Sequence, residues 1–511
     1  MSKKTFQQTS EVFTESSTDS SEKVSFDEVE EKQAVRRLDY QIVPLMTLFY
    51  LFSFLDRANI GNARVAGLQR DLNLTDRQFQ IAITVTFVPY IAAELPSNLL
   101  LRKVGPSLLM PLLLVVWGTV VTLQGVVTSY AGLVTARAFL GFCEGPMFPG
   151  IVLYLSGFYT REELSLRVAL FFSAASLSGA FSGLLAAAIQ NMDGVGGKPG
   201  WSWIFILVCS VVLYQVCLTD GYAQEGLLTV VVGIATFFLV PSTPQDCKLL
   251  TQQQKDIIVA RLARDRPGVN MEPVFSMKEV LRSLSSIHVI LVFIQMFCIG
   301  TCLYGLALFL PSIVKQLGFS TTRAQLVSVG PFAAGFFVII VSAYLSDRYR
   351  SRSMAVILIG LLAVIGYAMF LSSEHALVAY GSLFLSVPGI YANTPILSAW
   401  MANNSEPHYR RATSVALGFV ASNAGGILAT WSYPMHEGPR FHRTTIMNLV
   451  FSVVVILIAV INKVYLSHKN HRKTQCRATL LAPYVEQGLP DGGEKAWLEL
   501  GDRHPDFLYS I

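Results

Sequence analysis

Residues 287–310 read IHVILVFIQMFCIGTCLYGLALFL and contain no Asp, Glu, Lys or Arg. As a helix at 1.5 Å per residue this stretch is about 36 Å long, enough to cross the roughly 30 Å hydrocarbon core of a bilayer. Inside lipid every backbone N–H and C=O needs an internal partner, so the stretch is read as a helix. Comparable stretches occupy 41–60, 79–101, 108–127, 131–155, 168–189, 324–345, 354–372, 376–401, 412–434 and 446–466, with an irregular one between 203 and 240. The whole chain agrees. Of its 511 residues, 52% are apolar and 14% charged, against roughly a quarter charged in an ordinary soluble domain. A water-soluble fold is excluded, and an all-α membrane protein of twelve spans is expected.

The polar intervals organise these spans. Residues 1–39 are rich in Ser, Thr, Glu and Lys and are read as a disordered tail. Residues 40–240 form a first group of six spans, 241–286 a linker, 287–466 a second group of six, and 467–511 a second tail. Within the linker, Thr251 and Gln254 are spaced as a capping box opening a short helix. With both termini in the cytosol, the inner loops hold sixteen Lys and Arg and the outer loops nine, as the positive-inside rule requires. Basic clusters follow both the second span (Arg102, Lys103) and the eighth (Arg348, Arg350, Arg352). This echo suggests a parallel repeat of two six-helix halves.

The sixth span breaks the pattern. Two apolar runs, 203–218 and 226–240, are separated by TDGYAQE, and neither is comfortably long enough alone. Removing residues 208–224 joins WIFIL to EGLLTVVVGIA and restores a single span. Val208-Cys209, Leu218-Thr219 and Gln224 can be encoded by GTATGT, CTAAC and CAG, the donor, branch and acceptor signals of a fungal intron. We therefore read 208–224 as a translated, unspliced intron, with a natural re-entrant insertion as the competing reading.

Ionisable groups inside spans mark candidate chemistry, because they are costly in lipid and face a cavity or a partner. In the fourth span Arg137, Gly141 and Glu144 share a helix face, with Arg137 and Glu144 about 10 Å apart along the axis. An arginine fork suits a carboxylate, and a carboxyl group that can take up a proton suits coupling. The spacing therefore makes Arg137 a substrate-binding candidate and Glu144 a proton-coupling candidate. Glu94, in YIAAELPSN of the second span, is a second proton candidate; pairing with an inner-loop cation is the competing reading. Asp56 and Arg57, placed near the outer end of the first span, are read as gating residues, as are Arg102, Lys103, Asp347 and Arg348 at the loops. Tyr304, Asn393 and Trp400 are candidates for the cavity wall, and Tyr304 and Asn393 join Arg137 as substrate-binding candidates. No nucleotide, metal or nucleophile motif stands out, and the seven cysteines lack zinc or disulfide spacing. No cofactor, no metal and no nucleic-acid partner is expected, and the chain is read as a monomer.

Several runs resemble the fungal anion:cation symporter family of the major facilitator superfamily: FLDRANIGNA at 54–63, ELPSNLLLRK from Glu94, the Arg137–Gly150 pattern, MANN from Met401 and GDRHPDF from Gly501. That family includes allantoate, nicotinate and pantothenate permeases. The resemblance implies a twelve-helix major facilitator bundle with two rocking halves. It further implies proton-driven symport of a small organic anion across the plasma membrane, with the proton gradient in place of a cofactor. The fourth-span pattern also resembles vesicular glutamate and sialic acid transporters, which implies anion binding by Arg137 and proton coupling by Glu144. The loop signature after the second span is degenerate, whereas Asp347-Arg348 keeps it. An exporter of a secondary metabolite and a nutrient sensor that moves little ligand are the alternative expectations.

Overall fold

The computed structural model describes residues 28–189, 194, 197–207, 234, 236–237, 239–265, 277–406, 408–434, 437–438, 440–485 and 493–511. Residues 208–224, read above as an unspliced intron, lie outside the described residues. Every regular element described is helical.

The first half runs α1 (Glu28–Val65), α2 (Leu68–Asp71), α3 (Asp76–Val104), α4 (Pro106–Gln124), α5 (Tyr130–Glu144), α6 (Met147–Leu155), α7 (Arg161–Ile189) and α8 (Gly200–Leu207). The linker contributes α9 (Gln252–Asp265) and α10 (Met277–Leu284). The second half runs α11 (Ile287–Gln316), α12 (Thr321–Arg348), α13 (Arg352–Ser372), α14 (Ala376–Tyr391), α15 (Asn393–Asn403), α16 (His408–Ser432) and α17 (His442–Gln475). Two short helices, α18 (Arg477–Val485) and α19 (Gly493–Leu500), follow. Among the described residues nine helical stretches are long and apolar enough to cross a membrane. The fourth sequence span is divided into α5 and α6 at Gly145-Pro146, and the tenth into α14 and α15 at Ala392.

Two faces follow from the helix ends. The linker face carries the starts of α1 and α7, joined to α9 by Arg261 with Glu31 and Glu163, and by Gln253 with Glu30 at 3.1 Å. The far face carries the loops that leave α1, α4, α7, α11, α13 and α16. The capping box of α9 is formed, with Thr251 N–H donating to Gln254 Oε1 at 3.3 Å and Gln254 N–H to Thr251 Oγ1 at 3.4 Å.

Both ends of α1 differ from the sequence reading, and the last span, read as 446–466, is α17, which continues to Gln475 into the segment read as tail. Helix α1 begins at Glu28, so residues 28–39, read as tail, are helical; Ala34, Val35 and Leu38 are buried there, and Asp39 pairs with Arg167 at 2.7 Å. The polar residues of this segment are one face of a helix rather than a solvated tail. At its other end α1 continues to Val65, which moves Asp56 and Arg57 from a helix terminus into the interior.

The halves meet through α7 with α12 and α15, α3 with α16, and α1 with α11. Glycines set these approaches. A Cβ at Gly61 would lie 2.5 Å from the Leu308 carbonyl oxygen, and one at Gly183 would lie 2.7 Å from that of Gln325. Ser176 Oγ donates to the Phe332 carbonyl at 2.6 Å, also across the halves.

Candidate functional site

Successive residues on a helix diverge by about 100°, whereas residues four apart share a face. On α1 this separates two neighbouring charges. Ser53 and Arg57 face the molecular centre, and Asp56 turns toward α4.

Glu144, the last residue of α5, meets the first pair. Its Oε1 accepts from Ser53 Oγ and, at 2.8 Å, from Arg57 Nε, and all three side chains are buried. Arg57 then reaches into the second half, where Nη1 donates to the Tyr304 hydroxyl at 2.6 Å. Tyr304 in turn donates to Asn423 Oδ1 at 2.7 Å. A polar chain thus runs Ser53, Glu144, Arg57, Tyr304, Asn423 across the middle of the bundle. The second carboxylate oxygen of Glu144 has no hydrogen-bond partner.

Aromatic faces enclose the guanidinium. Its Cζ lies 4.7 Å from the Tyr90 ring centroid, 5.2 Å from Phe54 and 5.6 Å from Tyr304, within range of cation–π attraction. Tyr90 is brought this close by glycines. A Cβ at Gly141 would fall 2.0 Å from the Thr86 carbonyl oxygen, and one at Gly145 would fall 2.6 Å from that of Tyr90, so α3 and α5 touch backbone to backbone. One turn nearer the linker face, Phe148 and Phe419 pack across the halves with centroids 3.8 Å apart. Toward the far face, Phe87 packs on Tyr304 at 5.0 Å, and Trp431 Nε1 donates to Thr84 Oγ1 at 3.1 Å. These contacts flank the polar chain on both sides.

The other sequence candidates fall elsewhere. Arg137 is buried in the first half, its Cζ 5.8 Å from the Phe205 centroid. With the Gln124 amide oriented oxygen toward it, Gln124 accepts from Arg137 Nε and Nη2 at 3.2 and 2.9 Å. Asp56 accepts from Trp117 Nε1 at 2.7 Å, and its other oxygen has no partner. Glu94 is fully buried one turn beyond Tyr90, with neither carboxyl oxygen hydrogen-bonded. Asn393 bonds back to the Gly389 carbonyl at 2.8 Å inside the second half, apart from Arg57. Trp400 lies near the linker face and donates to the Ser510 carbonyl at 2.8 Å. Asp347 pairs with Arg352, and Arg348 Nη1 donates to Tyr344 at 3.3 Å. Arg102 and Lys103 end α3, and their side chains lie outside the described residues. Among the described residues no three His, Cys, Asp or Glu side chains are placed to hold a metal.

Of the site's members, the sequence reading singled out Arg57, Glu144 and Tyr304, and missed Ser53, Tyr90 and Asn423. The available signal was the Ser53–Arg57 spacing of four on an uninterrupted helix.

Comparison with known proteins bears on this arrangement. Residues 46–430 match the family model described as Major Facilitator Superfamily. An uncharacterized transporter of Schizosaccharomyces pombe is 32% identical over 446 residues, covering 87% of this chain and 85% of the relative. The high-affinity nicotinic acid transporter of Saccharomyces cerevisiae is 28% identical over 479 residues, covering 94% and 85%. Among solved structures, the proton:xylose symporter XylE bound to 6-bromo-6-deoxy-D-glucose superposes with a TM-score of 0.62 at 15% identity, covering 82% of this chain and 94% of that one. The chain therefore belongs to the Major Facilitator Superfamily, as one of its fungal transporters.

Proposed function

We propose that this transporter carries a small organic anion together with a proton, and that Arg57 and Glu144 exchange partners to do so. The observation that supports this reading is the buried Arg57–Glu144 pair, whose cation also reaches Tyr304 in the other half. A guanidinium matches a substrate carboxylate in geometry and charge. That carboxylate competes with Glu144 for Arg57, and two carboxylates at one cation repel each other. A proton taken up by Glu144 removes the conflict, so anion and proton enter the site together. A monocarboxylate would then move without net charge.

In this reading the bundle has twelve spans with both termini in the cytosol, the linker face is cytosolic, and the protein works as a monomer in the plasma membrane. The aromatic faces around Arg57 suit a planar carboxylate, and nicotinate, the substrate in the name of the yeast relative, is the first compound to try. Arg137, with Gln124 beside it, is a second cation held back from the interface. Tyr304 and Asn423 transmit the state of Arg57 to the second half.

The test is uptake of labelled nicotinate and other small carboxylates by proteoliposomes under an imposed pH gradient. Uptake should rise when the outside is acidified. Glu144→Gln should abolish the response to the gradient while leaving exchange of labelled for unlabelled substrate. A Glu144→Gln variant with an unchanged response would overturn the assignment. Accumulation inside inverted vesicles, but never inside right-side-out ones, would favour an exporter instead.

A further inference from the structure

The GDRHPDF run that begins at Gly501 has no part in the central site, yet it is among the most heavily bonded segments of the molecule. Gly501 takes a positive φ of 56°, which ends α19 and turns the chain onto the linker face. From there residues 501–511 cross the ends of four helices of the second half. Asp502 pairs with Arg410 at the start of α16 at 2.5 Å, both buried. Lys473, near the end of α17, donates to the carbonyls of Asp502 and Phe507 at 2.5 and 2.7 Å, and its ammonium lies 3.7 Å from the Tyr509 centroid.

The rest of the contact is strand-like pairing with amide side chains. Asn470 bonds both the N–H and the C=O of Tyr509, at 2.8 and 2.9 Å. Asn404 does the same for Ser510, at 2.7 and 3.0 Å. The N–H of Arg352, at the start of α13, donates to the Ile511 carbonyl at 2.8 Å. Trp400 lies on the tenth span and Asn404 just beyond it, and both also contact His288 of α11.

We propose that residues 501–511 are a strap that fastens the linker-face ends of α13, α15, α16 and α17 into one block, and that its docking governs how readily the second half rocks. Removing the strap would leave Arg410, Lys473, Asn404 and Asn470 without these partners, and the cost of orphaning buried polar and charged groups drives its docking. The strap does not reach the substrate. Arg410 and Asn423 are separated by about 20 Å along α16 at 1.5 Å per residue. Instead it ties together the two connectors of the linker face, through Arg352 beside Asp347 and through Glu406, whose carbonyl accepts from Asp502 N–H at 3.4 Å. In a two-body rocking cycle, opening the far face requires the halves to press together at the linker face. Loose ends of α13 and α15–α17 would not present a surface for that contact.

The experiment does not depend on which substrate or ion is carried. A chain ending at residue 492 is reconstituted beside the full chain, and a labelled peptide of residues 493–511 is titrated onto each. Saturable binding to the shortened chain alone is expected, weakened about a hundredfold when the peptide carries Asp502→Lys. Far-face opening is read from alkylation of Thr84→Cys by an impermeant maleimide. It should be about fivefold slower without the strap and restored by the peptide. If the shortened chain does not fold, the full chain carrying Cys476→Ser, Asn404→Cys and Ser510→Cys is oxidised instead. Rapid cross-linking with an unaltered alkylation rate at Thr84→Cys supports a strap that is docked throughout the cycle. Failure to cross-link, absence of saturable peptide binding, or normal alkylation of the shortened chain would each overturn the proposal.

Discussion

At the scale of residues, the molecule concentrates its buried charge where the halves meet. Arg57 is the side chain on which this arrangement turns, because its two ends are spoken for by different halves. Lysine keeps the charge but offers no fork, so it cannot hold Glu144 and Tyr304 together. Arg57→Lys is expected to reduce uptake at least about tenfold, with Arg137→Lys less affected, measured as initial rates at equal amounts of protein in the bilayer. A larger loss for Arg137→Lys would return substrate binding to the residue that the sequence favoured. Glu94 poses a different case. With neither oxygen bonded, an ionised carboxylate at this buried position is costly. Glu94→Gln keeps the shape and should change thermal stability by less than about 0.5 kcal/mol, whereas Glu94→Ala should cost about 1–3 kcal/mol through a cavity. Thermal unfolding in detergent separates the two. The sequence made the ionisable residues legible as costly groups in apolar helices, but it did not reveal their partners. Spacing places Arg137 and Glu144 on one face, and α5 ends at Glu144 beside Gly145-Pro146, so Glu144 meets α1 while Arg137 meets Gln124 of α4. That choice depends on which helices pack together, which no local pattern encodes.

At the scale of elements, glycines decide how closely helices approach and therefore which side chains can meet. Gly141 is the sharpest instance, since any Cβ there would meet the Thr86 backbone rather than a flexible side chain. Gly141→Val is expected to force α3 from α5 and withdraw Tyr90 from Arg57, destabilising the first half by several kcal/mol. Gly61 makes the corresponding contact between halves, against the Leu308 carbonyl. Gly61→Leu should therefore leave each half folded but push the far face apart. Faster maleimide labelling of Thr84→Cys would show this, and unchanged labelling with normal folding would argue against a tight far-face contact in the membrane. Spans were legible wherever apolar residues ran long enough, and the capping box at Thr251 was legible from its two residues. The start of α1 was not. Residues 28–39 look solvated in isolation, and only the packing of Ala34, Val35 and Leu38, with the charged pairs to α7 and α9, makes them helix.

At the scale of the whole molecule, the connection between the halves constrains the segment that resisted reading. Helix α7 ends at Ile189 and α8 starts at Gly200 on the far face, where Trp201 Nε1 donates to Asp71 Oδ2 at 3.1 Å. The chain is next fixed on the linker face, where Tyr154 donates to the Pro241 carbonyl at 2.8 Å and Ser107 bonds Ser242 at 2.7 Å. If the two faces are the two sides of the membrane, the interval between these anchors makes an odd number of crossings. One crossing needs about 20 residues, and three would need about 60. The interval 200–240 is too short for three and longer than one requires; the reading of 208–224 as an insertion into a single span would account for the excess. Joined without them, Leu207 is followed directly by Glu225 and the remaining interval matches one helix with a short approach. Mass spectrometry of the protein purified from its own cells should detect a peptide in which Leu207 precedes Glu225. Expression of the two forms should give higher membrane abundance for the shorter one. Recovery of peptides within 208–224 from the native protein, at an abundance equal to its other peptides, would show instead that the sixth crossing accommodates them.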